Sequence, residues 1–260
     1  MRYVRSWLTI AMAVVLTLAG SGPAWAAEPS PPPSGSAGSS RSPGSPGFAT
    51  PEDAVRHYLA GIATGDAAMV LEATAVDEIS TGFRFAQSVD RLQSMVLTTG
   101  LAPAEYPLFS DMDRVFSASQ ILFEAKMLVY SLLSTETIDG STIAPADKAR
   151  ADAFVAQVDP SRLAGLTVLD IRYPNAKWEH DEKNLKNEAS YAAIYGADGF
   201  TQRVALVSLD GNLYEVGFSL LRYGDRWGIS DQVAPLGDTK VLGAAVPITL
   251  EEYGRHTSGE

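Results

Sequence analysis

The segment from Arg203 to Val233, RVALVSLDGNLYEVGFSLLRYGDRWGISDQV, sets the architecture. In its middle run Tyr214, Val216, Phe218 and Leu220 point one way, while Glu215, Gly217 and Ser219 point the other. That two-residue period is the mark of a strand with one face on a core. Asp210-Gly211 and Gly224-Asp225 break the run with pairs suited to tight hairpins. Three antiparallel strands are therefore expected, over 203–209, 213–223 and 226–233. The face bearing Glu215, Gly217 and Ser219 is expected to meet water or a partner, and its small residues fit a homodimer.

Working outward, the same period appears from Leu166, where Leu169, Ile171 and Tyr173 alternate with Val168, Asp170 and Arg172 until Pro174. Glu188–Tyr195 reads two ways. Ala189, Ala192 and Ala193 suit a helix, but Tyr191, Ile194, Tyr195 and the following Asp198-Gly199 suit a hairpin strand, which is the reading adopted. An antiparallel meander of four follows.

Upstream the period is helical. Thr50-Pro51-Glu52-Asp53 supplies a capping hydroxyl, a proline at the first helical position and an early carboxylate. Val55, Tyr58, Leu59 and Ile62 then form one apolar stripe, ended by Gly65, and Asp66 caps a short second helix through Leu71. A stripe of Phe85, Val89, Leu92 and Val96 predicts a helix over 83–97. A long helix is expected from Asp111 to about Leu133 with Ser110 as cap, apolar around most of its girth, its run interrupted by Glu124 and Lys126. A fifth helix is expected from Pro145 to before Pro160. Helices first and antiparallel strands last is an α+β order.

Two stretches carry a family resemblance. Thr50-Pro51-Glu52-Asp53-Ala54-Val55-Arg56-His57-Tyr58-Leu59 with Gly65-Asp66, and Val216 through Ile229 with Trp227 after a tight turn, resemble the nuclear transport factor 2-like superfamily. The resemblance implies a curved sheet wrapped around a helix as a cone-like roll, a tryptophan plugging the wide end, and a conical pocket. It covers about half of the folded region. Residues from about 79 to 160 hold more helix than that family carries there and read as an insertion. The family's enzymes use carboxylates and a tyrosine inside the cone, and none of these maps onto a numbered position here.

The N-terminus reads as a leader. Arg2 and Arg5 precede an apolar run from Trp7 to Ala19, and Ala24-Trp25-Ala26 offers small residues at a cleavage point after Ala26. Residues 27–47 form a Pro/Ser/Gly linker too poor in apolar side chains to fold. It reads equally as an arm lifting the domain from a wall or membrane and as an inert spacer. A single α+β domain is expected over 48–237, with 238–260 as an extension. Losing the leader leaves 18 basic against 31 acidic residues, a net charge of about −13. Such a surface repels phosphate backbones and anionic lipid, which argues against nucleic acid or membrane insertion of the mature chain. With no cysteine, disulfides, thiolate metal sites and a lipidated N-terminal cysteine are excluded.

Chemical motifs are sparse. His57 falls one turn after Asp53, a spacing that suits a solvated pair as well as an acid–base dyad. Trp178-Glu179-His180-Asp181-Glu182 follows Pro174 and is expected to be a loop, where binding groups gather. Tyr58, Trp178, His180 and Asp181 are the candidate ligand-binding residues. No catalytic residue is assigned, and no metal site or cofactor is expected. His256 lies in a polar tail. The functional expectation is a secreted or envelope-located, non-catalytic domain binding a hydrophobic small molecule or an envelope protein. The alternative is an isomerase, cyclase or dehydratase using a pocket carboxylate with a tyrosine or histidine.

Overall fold

The computed structural model describes residues 47–259, apart from 99, 139, 141 and 240. The expected leader, and the linker up to residue 46, lie outside the described residues.

α1 (Pro51–Thr64) begins as its sequence dictates. The Thr50 hydroxyl accepts the Asp53 N–H at 3.1 Å, and Gly65 ends the helix at φ +69°. Asp66 caps α2 (Ala67–Glu72) by accepting from Ala68 and Met69. α3 (Val76–Gly82) was not foreseen, having no side-chain cap to announce it. α4 (Phe85–Leu92) is shorter than the expected 83–97, because Gln93 adopts a left-handed φ of +53°. None of its residues is buried, so its apolar stripe does not face a core.

α5 (Pro107–Leu133) starts four residues before Asp111, with Pro107 in the first turn, where a missing N–H costs nothing. Ser110 is not its cap and instead donates to the Ala104 carbonyl at 3.1 Å. Only the second half of α5 is widely buried, through Ile121, Ala125, Leu128 and Leu132. α6 (Lys148–Gln157) opens at Asp147, whose carboxylate accepts the Arg150 N–H, rather than at Pro145.

The remaining elements are β1 (Thr167–Arg172), α7 (Ala176–Glu179), α8 (Glu182–Ile194), β2 (Gly199–Leu209), β3 (Asn212–Tyr223), β4 (Arg226–Asp231), β5 (Val246–Pro247) and α9 (Leu250–Ser258). All strand pairs are antiparallel, in the order β1-β2-β3-β4, with β5 beside the start of β3. The fold is α+β, with N-terminal helices packed on the C-terminal sheet. No helix among the described residues is long and apolar enough to cross a membrane.

Two expectations about this half are corrected. Residues 188–195 are helix, not strand: Asp181 caps α8 by accepting the Asn184 N–H at 2.8 Å, and the alanines let it lie close on the sheet, burying Ala192. The meander is therefore β1 to β4, with α7 and α8 bridging β1 and β2. The sheet face bearing Glu215, Gly217 and Ser219 is also not open to water. Ala234 and Thr239 press on Gly217, Ser219 Oγ donates to the Val233 carbonyl, and Glu215 lies 2% exposed beneath α9.

The sheet is thus covered on both faces. On one, Ala205, Val207, Val216, Phe218 and Leu220 pack against α1 and the second half of α5. On the other, Leu221 meets Ala192 of α8, while Val204 and Leu206 meet Ala234 and Tyr253. The C-terminal residues read as a polar tail form α9, opened by a reciprocal capping box between Thr249 and Glu252. Tyr253 is buried and donates to the Val204 carbonyl at 3.2 Å. Burying a side chain of this size contributes about 2 kcal/mol. The outer edge of β4 is capped by backbone bonds to Phe48, Ala73 and Ala75, which removes an aggregation-prone edge.

Candidate functional site

The space between α1, α5 and the sheet, where the family resemblance places a conical pocket, is filled by the protein itself. Tyr58, Phe218, Leu128 and Leu220 are all fully buried, with Tyr58 edge-on to Phe218 at 5.4 Å between centroids. The Tyr58 hydroxyl donates to Gln232 Oε1 at 2.5 Å. This candidate ligand residue is therefore a core tyrosine with its one polar atom committed, out of reach of a ligand. Trp227 packs partly buried against the same core.

Of the other three candidates, Trp178 and Asp181 come together, though not in a loop, and His180 does not join them. Asn175 accepts the Lys177 N–H and starts the single turn of α7, which carries Trp178; His180 ends it and Asp181 caps α8. Trp178 is 48% exposed. It borders a hollow of about 540 Å³ with Lys177, Asp181, Lys183, Asn184 and Asn187. His180 is exposed and does not line it. Beneath, Asn184 Nδ2 donates to the Trp178 carbonyl at 3.1 Å and to the Tyr173 hydroxyl at 2.7 Å, and Tyr173 donates to Glu188 Oε1 at 2.8 Å. Asn184 Nδ2 also donates to Glu188 Oε1 at 3.3 Å, and burial pushes the Glu188 carboxyl above its usual range against the hydrogen bonds from Tyr173 and Asn184. Arg203, held by Glu52, Thr201 and the Gln202 carbonyl, stands over the Tyr173 ring.

Two of the three histidines, His57 and His256, pair with carboxylates. His57 lies 3.3 Å from Glu72 and against the Phe48 ring, not on Asp53. His256, given no weight in the sequence reading, sits 3.4 Å from Glu215. Asp170 and Arg172 pair with each other at 2.6 Å on the surface. Among the described residues, no three His, Asp or Glu side chains gather as metal ligands.

The most perturbed acids went unsuspected. Glu124 on α5 and Asp231 at the end of β4 share a hydrogen bond, and Glu124 Oε2 also accepts the Gln232 N–H at 2.9 Å. The Gln232 amide then links Tyr58 to the Gly243 carbonyl. Both residues are half-buried, with protein packed closely around their carboxyls. Burial first, and the Asp231 charge second, push Glu124 up to about 9. Burial pushes Asp231 up to about 6, opposed by the hydrogen bonds from Glu124 and Gln232. The pair titrates as a unit and holds one proton near neutrality, a state able to give or take a proton. In the sequence Glu124 reads only as a charge interrupting an apolar run, and its partner is over a hundred positions away.

A third feature is a surface. Among the described residues, nine of the fourteen large apolar side chains left exposed fall between Leu92 and Phe116. On α5, Leu108, Met112 and Val115 are 63%, 57% and 70% exposed at one-face helical spacing.

No family model matches the chain, and no curated protein does. Among solved structures, a cystatin-like protein from Ruminococcus gnavus is similar in fold, with 19% identity and a TM-score of 0.54. The likeness covers 77% of this chain and 45% of that one, so the chain spans less than half the length of its structural neighbour.

Proposed function

We propose that this chain is an exported, non-catalytic domain that binds an envelope protein through the apolar face built by residues 92–116. The observation that carries this reading is the concentration of exposed apolar side chains there, while the second half of α5 is buried in the core. Exposed apolar side chains concentrated in this way mark interaction sites. Leu108, Met112 and Val115 offer the i, i+4, i+7 anchors of a helix that seats in a partner's groove. Glu105 and Asp111 flank this stripe, Arg114 is already paired with Asp77 and Asp111, and the chain carries a net charge of −11. The complementary partner is therefore an apolar groove with a basic rim. The leader-like N-terminus and the linker support an envelope setting. The filled cone argues against a hydrophobic small molecule held there. The nuclear transport factor 2-like resemblance accommodates this reading, since such folds serve binding modules as well as enzymes.

The test is the double substitution Met112→Glu and Val115→Glu. Both sites are exposed, so folding stability is expected to stay within about 0.5 kcal/mol of the parent. The complex resolved on native gels of solubilised envelopes is expected to disappear. A variant complex of unchanged mobility and amount would contradict the reading.

The Glu124–Asp231 pair favours a second reading, an acid–base enzyme of the isomerase or dehydratase kind with the pair as proton carrier. It requires turnover that Glu124→Gln abolishes, whereas the binding reading requires the complex to survive that change.

A further inference from the structure

We propose that Trp178 and the hollow beside it form a binding subsite for a pyranose ring bearing a carboxylate, the building unit of an acidic polysaccharide. The site lies apart from the apolar face of α5 and does not depend on it.

The shape of the hollow suits such a ring. It encloses about 540 Å³ and offers one aromatic plane amid polar side chains. A wholly apolar ligand would leave those groups unpaired. A sugar ring, by contrast, has a C–H face to lay on an indole and hydroxyls around its rim.

The platform is held in place before any ligand arrives. The Trp178 carbonyl accepts from Asp181 N–H at 3.2 Å and from Asn184 Nδ2, so α7 and the start of α8 are tied together. Little ordering remains to be done on binding. Asn184 supplies the second observation. Its side chain is 6% exposed and its Nδ2 is fully engaged, yet its Oδ1 accepts from no described residue while the residue lines the hollow. Unlike a fully enclosed atom, this oxygen stays reachable from the hollow and open to a ligand hydroxyl.

Charge selects the acid. Lys177, Lys183 and Lys186 are three of the six lysines of the whole chain and lie within ten residues of one another. Glu179, Asp181 and Glu182 balance them along the chain, but the hollow itself is lined by Lys177 and Lys183 against Asp181 alone, a net cationic lining in a chain of net charge −11. Lys177 donates to the Gly259 carbonyl, whereas Lys183 forms no ion pair among the described residues and stands free for a carboxylate. The Asn184 oxygen, and the Asp181 carboxylate beyond its cap bond to the Asn184 N–H, can accept from donors, which hydroxyls provide and a phosphate does not.

The experiment is calorimetric titration of the full chain with trigalacturonate and, in parallel, with neutral cellotriose. Trigalacturonate is expected to bind more tightly than cellotriose. Trp178→Ala is expected to weaken it about thirtyfold, Trp178→Phe only slightly, and Lys183→Met about tenfold. Trp178 is half exposed, and Trp178→Phe keeps an aromatic plane, so loss with alanine but not phenylalanine separates the platform from a folding defect. Absence of trigalacturonate binding, equal binding of cellotriose, or binding indifferent to Trp178→Ala would each overturn the proposal.

Discussion

Gly217→Ala is expected to destabilise the protein by about 3 kcal/mol, through overpacking rather than lost contacts. The backbone here is ordinary strand, so glycine is required by space alone. A Cβ at this position would meet Thr239 Oγ1, the Ala234 backbone nitrogen at 2.5 Å and Ala234 Cβ at 2.8 Å. None of these can yield cheaply. Thr239 Oγ1 accepts the Ala234 N–H at 2.8 Å and donates back to the Ala234 carbonyl at 3.2 Å. The turn after β4 is thereby locked onto the sheet. Urea unfolding monitored by circular dichroism checks the magnitude, and limited proteolysis is expected to cut first within 234–245. A loss below about 0.5 kcal/mol would mean that the C-terminal cover does not press on β3.

Glu124→Gln is expected to remove most of the pH dependence of stability on the alkaline side. Folding raises the Glu124 pKa from 4.5 to about 9, so the native state binds more protons than the unfolded chain between those values. The stabilisation is complete below the unfolded pKa and is lost as pH rises through the folded one. Full expression of the shift would give about 6 kcal/mol, and about 3 kcal/mol is expected after relaxation and residual solvent contact. Glutamine accepts the Gln232 N–H and donates to Asp231, reproducing the protonated acid. The variant should match the parent near pH 5 and exceed it by roughly 3 kcal/mol near pH 9.5. Parallel stability curves for the two proteins would show that Glu124 is not the group responsible.

These two sites show where the sequence was legible. β2, β3 and β4 announce themselves because their period and their Asp-Gly and Gly-Asp turns are local signals. The start of α1 is equally local, being written in Thr50 and Pro51. α8 misled because Tyr191, Ile194 and Tyr195 are residues a strand also favours; Tyr191 and Tyr195 in fact pack one turn apart, tilted at 49° with 5.1 Å between ring centroids. α9 carried a readable sign, the Thr249-x-x-Glu252 capping box, in a segment taken for a polar tail. Its burial was not readable, since Tyr253 and His256 find their partners on β2 and β3 only after folding.

The candidate site divides in the same way. Trp178 and Asp181 stand out as neighbours in the chain, and the fold does place them on one hollow. Tyr58 could not be told from a pocket tyrosine, because helical spacing alone does not say whether the facing cone is filled. Glu124 and Asp231 meet only through the packing of α5 against the end of β4. No local period encodes that contact.

The central claim, that the face built by residues 92–116 is where a partner docks, is tested most directly by photocrosslinking in the producing cell. A benzophenone side chain would replace Met112, Val115 or Leu97, with Leu169 and Val155 as exposed controls elsewhere on the surface. One discrete protein adduct from the first three positions, absent at the controls, is the predicted result. Adducts at the controls alone, or none from Met112 and Val115, would contradict it.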